Sequence, residues 1–291
     1  MSRASDCVGC YRFAMEIDHA LVERLVAAQF PQYAGLPVAR VEPGGIDNRT
    51  FRIGSDLLAR LPSAEGYVLA VEKEQRWLPE LANKLDSAIP VPVGLGAPGE
   101  GYSWPWSLYR WLPGVDVLHV DKLDRTALAS SLGGFVTALR NIDGSKGPLA
   151  GAHSFYRGAS LMNYDKETRS VLRTPDEAQV WEAAIASTWT GPRTWFHGDI
   201  APGNLLIEDG QLTAVIDWGT SGVGDPACDL VIAWTFFDEI ERQVFASGAG
   251  LDADTWARAR GWALWKALIT GDAASDRVVH EILNDPVVPR R

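Results

Sequence analysis

The stretch Trp195–Gly219, WFHGDIAPGNLLIEDGQLTAVIDWG, constrains this chain more than any other. Two short apolar runs, Leu205–Ile207 and Leu212–Ile216, flank Asp209-Gly210, and an Asp-Gly pair between apolar runs is a strong tight-turn signal. A hairpin closed there brings Asn204, at its entry, beside Asp217, at its exit. His197 and Asp199 lie just upstream, so any fold of this chain carries a dense polar cluster at one end of a hairpin.

That cluster has a chemistry. An amide oxygen beside a carboxylate makes a hard-oxygen site, suited to Mg2+ that already carries phosphate oxygens. Asp199, five residues before Asn204, would face the hydroxyl that attacks. Moving a γ-phosphoryl group needs mainly positioning and charge neutralisation, so one orienting carboxylate and two metal ligands suffice. A lone HGD or DWG is more often ordinary loop chemistry. The whole set, in order and around a hairpin, is much harder to dismiss.

The spacing His197-x-Asp199-x4-Asn204 is that of the protein-kinase catalytic loop, with Asp217-Trp218-Gly219 where those enzymes carry D-F-G. HGDIAPGN followed by VIDWGTSGVGDPACDL resembles the aminoglycoside phosphotransferase family, which also includes macrolide, choline and homoserine-type small-molecule kinases. The resemblance implies a two-lobed, protein-kinase-like α+β fold: a small antiparallel sheet lobe with a helix, a hinge, and a larger, mainly helical lobe. ATP or GTP, with Mg2+, would sit in the cleft. It also implies Asp199 as the catalytic aspartate and Asn204 and Asp217 as metal ligands, while His197 is read as supporting the loop backbone. Asp225 and Asp229 match a further family signature and are read as scaffold. Locally, Asp225-Pro226 is an N-cap and first-turn proline opening the helix of Leu230, Val231 and Trp234, with Asp229 in its first turn.

Composition sets the bounds. At 291 residues, 46% hydrophobic and 22% charged, the chain has length for two lobes and a sizeable core. No apolar run reaches the roughly 18 residues of a membrane span. A net charge of −10 argues against a nucleic-acid partner and is compatible with a cationic substrate without selecting one. Cys7, Cys10 and Cys228 make no disulfide framework, and Cys7-x-x-Cys10 has no second ligand pair. Residues 1–14 read as a disordered extension rather than a signal peptide, with Met15 a plausible start, and the expected location is the cytoplasm.

The nucleotide lobe is expected over 15–113. Asp18 caps a helix carrying Leu21, Val22, Leu25 and Val26, ending near Phe30-Pro31. Strands around Phe51–Ile53 and Leu57–Leu61 join at Gly54-Ser55-Asp56, after a Gly44-Gly45 that lets backbone approach a phosphate. The resemblance puts the nucleotide loop here, with Asn48 in its small-polar position. It makes Arg60 the phosphate contact, where better-known members carry lysine, and Glu74 its partner in a helix over 71–85, with Glu72 as the rival. It assigns the backbone of Tyr109 to Trp111, in the strand before Pro113-Gly114, to adenine. A strand arginine, solvated helix glutamates and core aromatics are the plain alternatives.

Beyond a boundary at about 113–116 the pattern is helical, and 114–291 is expected to form the catalytic and substrate lobe. Leu128, Leu132, Phe135 and Leu139 share a helix face, and Thr174-Pro175-Asp176-Glu177 is a capping box with proline at the first helical position. Gly144–Tyr164 is loop-rich and suits a substrate rim. Helices follow at about 226–246, 253–270 and 275–284, with Trp256, Trp262 and Trp265 read as packing core. The acceptor is a small-molecule hydroxyl: an aminoglycoside by family name, or a macrolide, amino alcohol or metabolite. Asp238, Glu239 and Glu241 suit amino groups but equally a solvated helix face. An inert, pseudokinase-like nucleotide binder is the other class to weigh. The oligomeric state is left open.

Overall fold

The computed structural model describes residues 16–42, 44–45 and 47–285. The Cys7–Cys10 pair, the expected extension and the start at Met15 lie outside them. The described residues form two compact units, one running up to Val68 and resuming at Val93–Trp111, the other comprising Leu69–Pro92 and Leu112 onward.

In the first unit, helix α1 (His19–Gln29) starts where the Asp18 carboxylate accepts the Leu21 N–H at 2.8 Å. Strands β1 (Val38–Arg40), β2 (Asn48–Ile53) and β3 (Leu57–Pro62) follow, and the chain returns later with β4 (Pro92–Gly96) and β5 (Trp106–Arg110). They make one sheet in the order β1-β2-β3-β5-β4, antiparallel at β1/β2, β2/β3 and β3/β5. Alternation puts Phe51, Ile53, Leu57, Ala59 and Leu61 on one face, where they join Leu21, Val22, Leu25 and Val26 in a single core. Gly96 has no room for a side chain, since a Cβ there would lie 2.1 Å from the Trp106 ring.

The second unit begins with helix α2 (Val68–Ala82), three residues earlier at each end than the periodicity suggests. Its inward face carries Lys73 and Trp77, whose partners are all in this unit, so the helix groups here rather than with the sheet. Then come β6 (Val115–Asp116), α3 (Arg125–Arg140), α4 (Asp165–Val171), α5 (Pro175–Ile185), β7 (Thr194–Phe196), β8 (Leu205–Glu208), β9 (Gln211–Val215), β10 (Gly222–Gly224), α6 (Ile232–Thr235), α7 (Glu239–Ala249), α8 (Ala253–Thr270) and α9 (Ala273–Asn284). Strands β8 and β9 form the expected hairpin, with Asp209 (φ 50°) and Gly210 (φ 76°) both left-handed at the turn. Thr174 and Glu177 form their capping box at the start of α5. Helices α3 and α7 approach closely at Gly133 and Gly248, where a Cβ on Gly133 would lie 3.0 Å from the Gly248 Cα.

The single helix expected over 226–246 is three pieces. Pro226–Leu230 is a tight 3-10 turn, α6 is one turn, and the chain then extends at Asp238 to cap α7. Asp238 accepts the Glu241 N–H at 2.9 Å, and Glu241 answers Arg125 at 2.7 Å. The acidic trio is thus mainly a helix start: Asp238 and Glu241 are spent on the cap, and the amino-group recognition considered for them has no support here. Among the described residues, no helix is long and apolar enough to cross a membrane.

Candidate active site

The hairpin base closes as its sequence requires. The Ile216 N–H donates to the Asn204 carbonyl at 2.9 Å, which sets Asp217 immediately beyond Asn204. Asn204 Nδ2 donates to the Asp199 carbonyl at 2.9 Å and to Asp199 Oδ2 at 3.3 Å, so its amide oxygen points the other way. Asp217 is left-handed at φ 64°, a conformation Asp tolerates better than most residues and one often found at functional sites.

His197 is fully buried. Its Nδ1 accepts the Asp199 N–H at 3.2 Å, so the ring proton sits on Nε2, which donates to the Ile216 carbonyl at 3.0 Å. Burial holds the imidazole below its ordinary pKa, in the neutral form these two bonds need. The ring ties loop to hairpin and takes no proton from a ligand. Behind it, Asp229 accepts the His197 N–H at 2.9 Å and the Gly198 N–H at 2.6 Å. Burial pushes the Asp229 carboxyl up to about 7, against the pull of those two amides. Asp229 therefore reaches back to the loop instead of tending the dipole of its own helical turn. Asp225 accepts the Ala227 N–H at 3.1 Å, as an N-cap, and also pairs with Arg258.

Asp199 itself is half-exposed. Burial favours its neutral form, but Lys266, by charge and hydrogen bond, with Arg157 behind it, brings the carboxyl below the usual range. Lys266 Nζ lies 3.0 Å from Asp199 Oδ1. An ionised carboxylate with one oxygen toward Asn204 and the other toward Lys266 is rigidly oriented and can accept a hydroxyl proton.

Glu74 is buried on α2 while its rival Glu72 is exposed. The Glu74 and Asp217 carboxylates border the same gap, each with an oxygen 3.8 Å from where a Cβ on Gly219 would stand. Between Glu72 and Glu74, Lys73 is buried and donates to the carbonyls of Gly219 (2.6 Å), Ser221 (2.9 Å) and His153 (3.3 Å). Burial pushes its ammonium down to about 8, with Glu74 and Asp217 opposing. Lys73 fastens the segment that follows Asp217.

The remaining predicted residues lie in the first unit. Asn48 opens β2, opposite Pro62. Arg60 stands on the sheet face away from the α1 core, its guanidinium 5.9 Å from the ring of Tyr109. The Trp111 N–H donates to the Asp56 carbonyl at 2.8 Å, so that amide is used within the sheet and not held out to a base. Its ring lies under Arg52 at 4.3 Å.

For a divalent cation, the Asn204 oxygen and the Asp217 carboxylate are hard donors on adjacent positions of the hairpin. No cluster of three or more His, Cys, Asp or Glu side chains among the described residues would enclose a metal. Two protein oxygens, with the rest left to phosphate and water, fit Mg2+ rather than a structural metal.

Sequence reasoning missed Lys266, Arg157 and Lys73. Lys266 shares α8 with Arg258 and Arg260, and only the burial of Thr255–Trp265 in the structure sets it apart. Lys73, flanked by two glutamates, had no signal either.

The model for the "Phosphotransferase enzyme family" matches residues 38–262 of this chain. An uncharacterized protein, YcbJ of Bacillus subtilis (strain 168), is 41% identical over 54 residues, a match spanning 18% of this chain and 18% of that relative's length. Among solved structures, the GDP complex of wild-type aminoglycoside 2'-phosphotransferase-IIIa is similar over 92% of this chain and 98% of its own, with TM-score 0.69 and 18% identity. Macrolide 2'-phosphotransferase MphH from Brachybacterium faecium is similar over 94% of this chain and 99% of its own, with TM-score 0.60 and 26% identity. The shared architecture is the α+β fold of kinase-like phosphotransferases.

Proposed function

The chain belongs to the phosphotransferase enzyme family, and we propose that it moves the γ-phosphoryl group of ATP or GTP, with Mg2+, to a hydroxyl of a small molecule. The observation that carries this reading is the Asn204 amide bonded to Asp199 at the base of a hairpin whose other end is Asp217. The orienting carboxylate and the two oxygen donors then form one rigid group, the arrangement phosphoryl transfer needs.

Asp199 orients the acceptor hydroxyl and takes its proton as the new P–O bond forms and the bond from the γ-phosphorus to the bridging oxygen breaks, releasing ADP or GDP. Asn204 and Asp217 would hold Mg2+, which would neutralise phosphate charge. Lys73 and Asp229 act from behind, one anchoring the chain after Asp217 and the other the amides of His197 and Gly198. For the nucleotide we assign Asn48 and Arg60 to phosphate and the backbone near Tyr109 and Trp111, excepting the Trp111 N–H, to the base, while Glu74 stands beside Asp217. The solved relatives bring aminoglycosides and macrolides forward as first acceptors to try, with small amino alcohols beside them, and the cytoplasm is the expected place of action.

The test is Mg2+-dependent nucleotide consumption by the purified chain against that panel, repeated with Asp199→Asn. Loss of the base should lower turnover by about 10²–10⁴-fold while nucleotide affinity, read by calorimetry, stays within a factor of a few. A folded Asp199→Asn protein with full turnover would overturn the mechanism.

A further inference from the structure

Beside Asp199 the second unit is concave, and its wall is cationic and aromatic: Arg157, Lys266, Trp262 and Trp265. Cys228 also faces it, its thiol kept neutral by burial. Among the described residues lining this concavity, Asp199 is the one carboxylate. Glu167, against the same wall, accepts the Trp265 Nε1–H at 2.7 Å. Asp229 is turned to the amides behind the loop.

Lys266 is matched by Asp199, and Arg157 is the surplus charge. Its guanidinium carbon lies 4.4 Å from the Trp265 ring centre and 5.4 Å from that of Trp262, so cation–π contact with both rings holds the group in place. Tyr164 meets the guanidinium through one side-chain hydrogen bond, while Arg157 Nη1 is buried without a hydrogen-bond partner. Arg157 as a whole is only partly buried and lines the concavity, so an acceptor from outside can reach its guanidinium. A planar fork held rigid is complementary to a carboxylate or phosphate, which it grips with two parallel bonds. An ammonium group placed there would meet two like charges.

We infer that the acceptor of this enzyme carries an anionic group, a carboxylate or a phosphate, held by Arg157 with Lys266 beside it, next to the hydroxyl that Asp199 orients. This rests on the phosphotransferase reading of Asp199. The same cations would also suit the phosphoryl group in transfer, and the experiment separates the two sources.

Inorganic phosphate is titrated into the full chain at constant ionic strength, with tryptophan fluorescence as the signal, since Trp262 and Trp265 line the site. The expected result is a saturable change, weakened at least tenfold by Arg157→Gln and at least threefold by Lys266→Met. It should persist in saturating Mg2+ and a non-hydrolysable ATP analogue, and kanamycin chloride should not reproduce it. If Arg157→Gln loses its native circular dichroism, Lys266→Met carries the comparison.

No saturable change, equal binding by the variants, or saturation by kanamycin would overturn the inference. Competitive displacement of phosphate by the analogue would assign the anion to the nucleotide and overturn it as well. Should calorimetry detect no binding of the analogue while phosphate still depends on Arg157, the phosphotransferase reading fails and the anion site stands without it.

Discussion

Replacing Arg258 by Met should cost the fold about 3–5 kcal/mol, the range for leaving one member of a buried ion pair uncompensated. Arg258, on α8, and Asp225, at the start of the 3-10 turn, are both buried, with Nε to Oδ2 at 2.7 Å and Nη2 to Oδ1 at 3.3 Å. The remaining guanidinium donors reach Ser187 Oγ at 2.9 Å and Thr255 Oγ1 at 3.0 Å, so the variant strands hydroxyl oxygens as well. Without the guanidinium, the Asp225 carboxylate keeps only the Ala227 N–H among these contacts. Burial already raises this carboxyl above the ordinary aspartate value, with Arg258 the main opposing influence, so its removal raises the carboxyl further. The sign follows from proton linkage: an acid whose folded pKa exceeds its unfolded one contributes stability that is complete below the unfolded value and is lost as pH rises through the folded one. The deficit of Arg258→Met should therefore be smaller at pH 5 than at pH 8. Adding Asp225→Asn removes the buried charge, and the double variant should cost less than the sum of the singles by about 2 kcal/mol. Urea denaturation at the two pH values measures all of this against a total stability of about 5–15 kcal/mol. Additive singles, a cost below about 1 kcal/mol, or a deficit independent of pH would refute the reasoning.

Lys73→Met strands three carbonyls at about 1 kcal/mol each, but relieves the burial that moves the ammonium from 10.5 to about 8, about 3 kcal/mol. Melting should therefore shift little near neutral pH while turnover falls at least tenfold for want of an anchor after Asp217; a large loss of stability would show that the carbonyls dominate. His197 should make the fold acid-sensitive: its folded pKa lies below the unfolded 6.5, so its contribution is present above 6.5 and is lost as pH falls through the lower value. Denaturation midpoints between pH 7 and 5 should slope less in His197→Gln, and an unchanged slope would clear His197 of that part. Gly198→Ala sets a Cβ 2.8 Å from the Thr220 carbonyl at φ +88°, and should cost about 2 kcal/mol or more by calorimetry; a loss under about 0.5 kcal/mol would contradict the placement of this backbone.

Elements whose causes are local were legible. The β8–β9 hairpin rests on two adjacent residues that accept positive φ, and Asn204 reaches Asp199 over five positions, so spacing alone brings both together. Alternation likewise sorts Phe51, Ile53, Leu57, Ala59 and Leu61 onto one face of a sheet. Legibility fails where a residue's partner is distant in the chain. Asp229 sits where a helix dipole would welcome it, yet its bonds run 32 and 31 positions upstream, to the amides of His197 and Gly198. Lys266 comes to Asp199 across 67 positions, and in the sequence it is one cation of three in its helix, with Arg258 and Arg260. The acidic trio at 238–241 looks like a ligand surface until Arg125, 116 positions away, claims Glu241.

This division bears on what the family resemblance can carry. The residues that read out locally, Asp199, Asn204 and Asp217, are those we propose for the reacting phosphoryl group, and on that proposal any acceptor hydroxyl needs them in the same arrangement. The residues that meet the rest of the acceptor come from elsewhere: Arg157 from the loop before α4, and Lys266 and Trp265 from α8. Their positions are set by packing among tryptophans, not by spacing along the chain. Packing of that kind can be rebuilt by a few substitutions without disturbing the hairpin, which would let one catalytic loop serve acceptors of opposite charge. A cationic acceptor inferred from motif alone therefore transfers the chemistry of the loop to a surface the loop does not control, and in this chain that surface presents Arg157.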